Sequence, residues 1–422
     1  MILIRRKQTS DWVSCQSITK NLESLYRKSF ADEVTTLEIS ADANKYDHWL
    51  MAKEIATLEP THVVFIDHTP HPVDLVTSIF MQEMKVKPSF IFHIFGDFSL
   101  QSQSWLQIEE VLKDSKSIFI CASDKEVLLL KNLINAKEGV IQKLPFPIDG
   151  DFFKFDEKKV KNNKKFKFLY TGRLSDQKNI MELIQYFNQY NKTINPETEL
   201  VIAGPYDDLG IPFLGKRMKK GSYGLHVENL ISSLANDNIK VIGNCNHEEL
   251  RQIYHECDAY VSLSTHNDED YGMAPAEALT CGLPCLLSDW GGFSSFSFVD
   301  FSNVVLTPVE IRKNKILPEA MDVVKKLHLI SSKKLEISER AELSNKALKR
   351  LSIDGLIRPL KEIYKTELKE GSFHSFHGNF KSLSTTHLIN GATPYFRAPN
   401  GSYSTLYKEI YAPYFKRLIS EN

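Results

Sequence analysis

An α/β protein built from two parallel-sheet units is what this sequence predicts, and three observations predict it. Strand-length apolar runs alternate with longer segments of helical character, the signature of a sheet covered on both faces. The alternation is broken once, by a charged stretch after residue 150, and then resumes. The chain has 422 residues, long for one hydrophobic core and ordinary for two.

The first set of strands reads Ile2–Ile4, His62–Ile66, Ser89–Ile94, Ser117–Cys121 and Val140–Leu144, with helical segments such as Tyr46–Leu58 and Asp74–Met84 between them. Residues 1–150 make the first domain. The polar run Asp156–Lys165 marks the boundary. The second set reads Phe166–Thr171, Glu199–Ala203, Ile239–Ile242, Ala259–Leu263, Pro284–Leu287 and Asn303–Leu306. Ile180, Leu183, Ile184 and Phe187 recur at helical spacing, so one face of that helix packs on a sheet. Asn179 with Glu182, and Asn246 with Glu249, read as capping boxes at two helix starts. The second domain is expected over 151–370, its last part, 333–370, helical. Residues 371–402 read as an irregular extension. Tyr403–Leu418 is aromatic-rich and helical, and is expected to cross back so that 403–422 complete the first domain.

Composition narrows the function classes. The formal net charge is -1, so no global field draws the chain to nucleic acid. The basic run Lys158–Lys167 reads as a solvated linker, with a role against acidic lipid or glycan as the sharper alternative; Gly215–Lys220 is a second basic run. No segment approaches the roughly 20 apolar residues of a membrane span. Met1–Lys7 has the wrong order of charge and apolar residues for a signal peptide. A cytoplasmic protein is expected, with peripheral contact to the inner face of a membrane compatible with the sequence. The six cysteines are scattered and read as reduced, buried residues; no second Cys/His pair completes a zinc site with Cys281 and Cys285.

Two segments carry the chemistry. In Tyr170-Thr-Gly-Arg-Leu-Ser-Asp-Gln-Lys178 a strand ends, Gly172 turns the chain, and two cations precede a helix. Arg173 forks onto phosphate oxygens and Lys178 supplies a point charge, so the pair suits a diphosphate without a metal. In Glu269-Asp-Tyr-Gly-Met-Ala-Pro-Ala-Glu277 seven residues separate two carboxylates across a loop that opens a helix. Gly272 permits close backbone approach, Pro275 suits a first helical turn, and the N–H groups of Met273 and Ala274 suit a phosphate. Glu277, expected on the first turn, would reach a ribose, and Glu269, before the turn, would lie nearer a sugar.

This loop resembles the E-x7-E motif of retaining GT-B glycosyltransferases, most closely family 4. Phe168–Asn179, Val201-Ile-Ala-Gly204, Val241-Ile-Gly243 and Ala276–Pro284 are similar to that family's segments and fall in its order, from about Phe166 to Gly292. The resemblance implies two Rossmann-like domains facing across a cleft, a nucleotide-diphosphate sugar as donor substrate, and no cofactor or metal. It implies that Arg173 and Lys178, with Gly272, Met273 and Ala274, hold the donor diphosphate, that Glu277 holds the ribose, and that Gly243 lies by the base. It implies catalytic placement of Glu269, against the donor sugar, and of His93, in Phe92-His-Ile-Phe-Gly-Asp97. The implied reaction moves a hexose-type sugar with retention to a glycan, lipid-linked or protein acceptor. Three departures stand out. Ile4–Ser10 lacks the family's Gly-rich loop, Tyr206–Gly224 is longer and more basic than a tight connection needs, and 371–402 has no counterpart.

Other readings differ in what they need. A nicotinamide dehydrogenase needs G-x-G-x-x-G after an early strand, and none occurs. Asp268-Glu-Asp270 looks like a metal-holding D-x-D, but precedes a helix already supplied with Arg and Lys. A nucleotide-sugar epimerase, or a non-catalytic nucleotide-sugar-binding scaffold using the aromatic tail, stays open. Oligomeric state is not legible.

Overall fold

The computed structural model describes every residue except 9–12, 68–71, 162–163, 207–221, 268, 300–302, 313–314, 367–368, 391–400 and 416–422. The basic run Gly215–Lys220 lies outside the described residues. The chain divides into two compact units, one formed by Met1–Pro147 with most of the residues after 353, the other by Ile148–Ser352.

In the first unit, β1 (Ile2–Arg6), β2 (Thr35–Ile39), β3 (His62–Phe65), β4 (Ser89–His93), β5 (Ser117–Cys121) and β7 (Ile141–Lys143) form one sheet, in the order β2-β1-β3-β4-β5-β7. All of its pairings are parallel. The central strands are buried on both faces, which is why they read as unbroken apolar runs. β2 was not legible in that way. It is an edge strand, Thr-Thr-Leu-Glu-Ile, largely open to solvent, and so lacks the continuous apolar signal.

Chain from beyond residue 352 joins this unit. The helix Ile353–Ile363 packs on Val13–Phe30, with Lys28 and Asp354 paired at 2.8 Å. The segment 371–402 differs from the irregular extension expected. β16 (Phe373–Phe376) pairs antiparallel with β6 (Ile134–Ala136), and Gly378–Asn390 is a helix. Phe373, Phe376 and Phe380 are buried, a short-range aromatic pattern that the surrounding Gly, Ser and His residues conceal. In the tail, Tyr411 donates to Asp97 and lies 2.7 Å from the Ser99 hydroxyl, while the buried Lys125 donates to the Tyr414 carbonyl at 3.0 Å.

In the second unit, β8 (Phe166–Thr171), β9 (Thr198–Ala203), β10 (Ile239–Gly243), β11 (Ala259–Ser262), β12 (Cys285–Ser288) and β13 (Val304–Thr307) form a sheet ordered β10-β9-β8-β11-β12-β13. Every ladder is parallel. The helix Ile180–Thr193 buries Ile180, Leu183, Ile184 and Phe187 against it, as the spacing predicts. A hairpin, β14 (Val309–Arg312) with β15 (Lys315–Pro318), follows.

The order is set by chain direction. β8 is laid down first and β9 and β10 are added on one side of it; the chain then returns to add β11, β12 and β13 on the other. Connections leaving β8 and β11 therefore part in opposite directions, and that opens a crevice beyond their carboxyl ends. The first sheet has its own reversal, between β1 and β3.

Among the described residues no helix is long and apolar enough to cross a membrane. All six cysteines are free thiols.

Candidate functional site

The reversal between β8 and β11 is where the second unit gathers its charged residues. Lys178 follows β8 and Glu269 follows β11; the Lys178 ammonium lies 2.5 Å from Glu269 Oε2, with both side chains largely buried. Two residues 91 positions apart are joined here by topology alone. Arg173 lies in the same neighbourhood. The His266 imidazole, fully enclosed, is pushed well below its ordinary range by burial, and then by the positive charges of Lys178 and Arg173. The Tyr170 hydroxyl, pushed up by burial, is influenced by both Glu269 and Arg173.

Several contacts fix the two connections. Asn179 adopts a left-handed conformation, φ 52°, and its side chain does not cap the following helix. The capping box expected with Glu182 is therefore absent: the Asn179 amide turns away and donates to the Leu263 carbonyl at 2.8 Å and to Thr265 Oγ1 at 2.9 Å. It cross-links the exits of β8 and β11 instead of serving one helix. The box at Asn246 and Glu249 is present. From the β12 side, Trp290 Nε1 donates to the His266 carbonyl at 2.8 Å, and the Gly292 N–H donates to the Glu269 carbonyl at 2.6 Å. A Cβ at Gly292 would lie 2.3 Å from the Asp270 oxygen and the Tyr271 Cα, so this contact admits only glycine. His266, Trp290 and Gly292 were given no role from sequence; the Gly-Gly pair after Trp290 is the signal that marks them.

The helix Met273–Thr280 starts at Gly272, which has φ 109° and packs so tightly on Phe293 and Pro275 that an added Cβ would fall 2.7 Å from the ring. The first intrahelical bond is made by the Ala276 N–H to the Gly272 carbonyl. The N–H groups of Met273 and Ala274 precede it, and Pro275 has none, so these two are the donors this helix start leaves for an anion. Glu277 is the fifth residue of the helix, on the second turn and not the first as expected. It is 7% exposed and accepts a hydrogen bond from the Tyr254 hydroxyl at 3.0 Å. Burial raises its carboxyl to about 8, with the Tyr254 bond acting in the opposite sense. Gly243 ends β10 with φ 80°, and its Cβ direction is open to at least 4 Å.

His93 stands elsewhere, at the end of β4 in the first unit. It is 5% exposed, its Nε2 lies 2.8 Å from the Tyr26 hydroxyl, and burial lowers it to about 3. Its Nδ1 is buried and accepts or donates no hydrogen bond among the described residues. It is a neutral imidazole at ordinary pH. Thus the structure brings together Arg173, Lys178, Glu269, Gly272, Met273, Ala274 and Glu277 in one unit, with Gly243 two strands across from β8. His93 belongs to the other unit. Asp268 lies outside the described residues, and no group of three His, Cys, Asp or Glu able to hold a metal occurs among the described ones.

Solved structures share the fold. Anabaena HepE in complex with UDP is 12% identical and superposes with a TM-score of 0.63 over 86% of this chain and 99% of its own. The lipopolysaccharide outer core galactosyltransferase WaaB is 14% identical, with a TM-score of 0.58 over 87% of this chain and 99% of its own. At these identities the likeness shows the fold, which is GT-B, with two Rossmann-like domains.

Residues 151–313, most of the second unit, match the family model for glycosyl transferases group 1. A lipopolysaccharide 1,2-N-acetylglucosaminetransferase of Salmonella typhimurium is 28% identical over 128 residues. That match covers 30% of this chain and 31% of the relative's length.

Proposed function

We propose that this chain is a glycosyltransferase that moves a hexose-type sugar, with retention and without a metal, from a nucleotide-diphosphate sugar to a surface glycan, a lipid-linked acceptor or a protein. The reading places it in the cytoplasm or on the inner face of a membrane. The observation that carries it is the Lys178–Glu269 pair at the crevice of the second sheet, beside a helix start whose first N–H groups, Met273 and Ala274, precede the first intrahelical bond. Arg173 and Lys178 balance the diphosphate, the N–H groups of Met273 and Ala274 take the departing phosphate, Glu269 accepts from sugar hydroxyls, and Glu277 accepts from the ribose. Gly243 leaves room for the base. Such a site works by holding reactants in line and stabilising the charge that develops on the leaving phosphate. Front-face attack assisted by that phosphate fits an arrangement in which Glu269 is already engaged by Lys178 and so is a poor nucleophile. His93 is read as a neutral hydrogen-bonding partner of the sugar, not as a charge.

Support comes also from the printed ligand of the HepE structure, UDP, and from the lipopolysaccharide-directed activity of the Salmonella relative. A thermal-shift screen against UDP-, GDP- and ADP-sugars tests the reading, because a ligand that binds only the folded state raises Tm by mass action. One donor family should raise Tm, and no shift with any would overturn the proposal. Incubation of that donor without acceptor should release free sugar slowly. A new nucleotide sugar would point to an epimerase, and an untouched donor to a binding scaffold. Turnover should persist in excess chelator.

A further inference from the structure

We infer that Tyr254 is a positioning residue of the donor pocket, whose hydroxyl holds one oxygen of Glu277 and leaves the other for the donor ribose. The inference rests on the donor reading above. Tyr254 lies on the helix His247–Glu256 and is completely buried. Its hydroxyl oxygen is 3.0 Å from Glu277 Oε2, 3.0 Å from Thr171 Oγ1 and 3.2 Å from the Ala274 carbonyl. A phenol has one proton to give, and the contact to Glu277 Oε2, at 3.0 Å, is shorter than that to the Ala274 carbonyl, at 3.2 Å. Tyr254 therefore donates to Glu277, and the Thr171 hydroxyl donates to Tyr254. Hydrogen bonds in such a chain polarise one another in the same direction.

The chain has a spatial logic. Thr171 is the last residue of β8, two positions before Arg173, while Glu277 and Ala274 belong to the helix begun by Gly272. Tyr254 thus ties the carboxyl end of the central strand to the helix that carries the carboxylate. Its own ring is fixed edge-on by Phe153, with centroids 6.0 Å apart. Its carbonyl accepts from the buried Arg340 guanidinium at 3.4 Å. A carboxylate on a helix has three rotatable side-chain bonds; pinning one oxygen from a rigid ring leaves the other at a defined place. Among the described residues Tyr254 is the side-chain donor to the Glu277 carboxyl group.

A mutant cycle tests this against the alternative that Tyr254 only fills the core. Binding of UDP, GDP and ADP is measured by calorimetry for the wild-type protein, Tyr254→Phe, Glu277→Ala and the double variant. The nucleotide bound best by the wild type is followed. Tyr254→Phe should weaken it about tenfold, as expected for loss of one buried hydrogen bond. It should cost almost nothing further once Glu277 is alanine. Equal weakening in both backgrounds, or none in either, overturns the inference. Should Tyr254→Phe fold poorly by circular dichroism, Thr171→Val keeps the ring and removes only its donor. A smaller loss, again confined to the Glu277 background, is expected. Normal binding by Glu277→Ala would remove the ribose role and this inference with it, while a donor-induced Tm shift would leave the broader donor reading standing.

Discussion

The two sheets are close relatives in topology and opposites in what they hold. The first runs β2-β1-β3-β4-β5-β7 and reverses between β1 and β3; the second runs β10-β9-β8-β11-β12-β13 and reverses between β8 and β11. In the second, the reversal carries paired charge, Lys178 with Glu269, and a helix start opened by Gly272. In the first, the candidate residue is a single imidazole sealed at the end of β4, kept neutral by burial and held by Tyr26. Under the proposed reading, the contrast is a division of labour within one architecture. An anionic leaving group needs fixed charge and oriented dipoles, whereas a sugar hydroxyl needs only a neutral partner of set position.

That division is broken most directly at Arg173. Arg173→Ala should lower kcat by about 10²–10³, the usual loss for one charge stabiliser of a transition state. His93→Gln, which keeps a neutral hydrogen-bonding group, should cost far less. Steady-state rates with the donor chosen by the Tm screen would check both. Near-normal turnover of Arg173→Ala, or an equal loss in both variants, would erase the contrast.

The next largest effect concerns how the second unit keeps its helices in place. Arg340 is 3% exposed and donates to the carbonyls of Gly282 at 3.2 Å, Cys257 at 3.2 Å and Tyr254 at 3.4 Å. These are the C-terminal ends of the two helices that carry Tyr254 and Glu277, where a cation also meets the helix dipoles favourably. Arg340→Met should destabilise this unit by about 3 kcal/mol, since several buried carbonyls lose their donors at once. Urea unfolding followed by circular dichroism gives the number. A change within about 0.5 kcal/mol would mean that water replaces the guanidinium.

Much of this was legible from residues alone, for a physical reason. Strands covered on both faces must be apolar throughout, so β4, β5, β8 and β11 stand out as runs. Gly172 and Gly272 mark turns at strand exits, and the cations and acids beside them have no apolar role to play. What stayed hidden depends on pairing across the sequence. The edge strand β2 has too little apolar surface, and β6 pairs with β16 across more than two hundred residues. Asn179 looked like a helix cap because Glu182 follows at capping distance; only the fold shows that its amide has better acceptors on the β11 exit. Tyr254 and Arg340 carry no local signal, since nothing near them in sequence reveals that a phenol will meet a carboxyl or that a guanidinium will be enclosed.

The smallest effects are the most diagnostic, because the two units should respond to pH with opposite sign. The Glu277 carboxyl, ordinarily near 4.5, is raised to about 8 by burial. Between those values the folded state keeps a proton that the unfolded chain has released, so its contribution to stability is full below about 4.5 and is lost as pH rises toward 8. His93, ordinarily near 6.5, is lowered to about 3 by burial. Between those values the unfolded chain binds a proton that the folded state refuses, so this contribution is full above 6.5 and is lost as pH falls. From pH 6.5 to 8 only Glu277 acts, and Glu277→Gln should remove a decline of about 1 kcal/mol per pH unit. From pH 4.5 to 6.5 the first unit should gain stability with rising pH while the second loses it, and His93→Gln should flatten the first unit's rise. Each slope is read from urea midpoints of the corresponding unit. If Glu277→Gln left the slope above pH 6.5 unchanged, the carboxylate would already be solvated. The burial that distinguishes the second unit's acid from a surface glutamate would then be absent in solution.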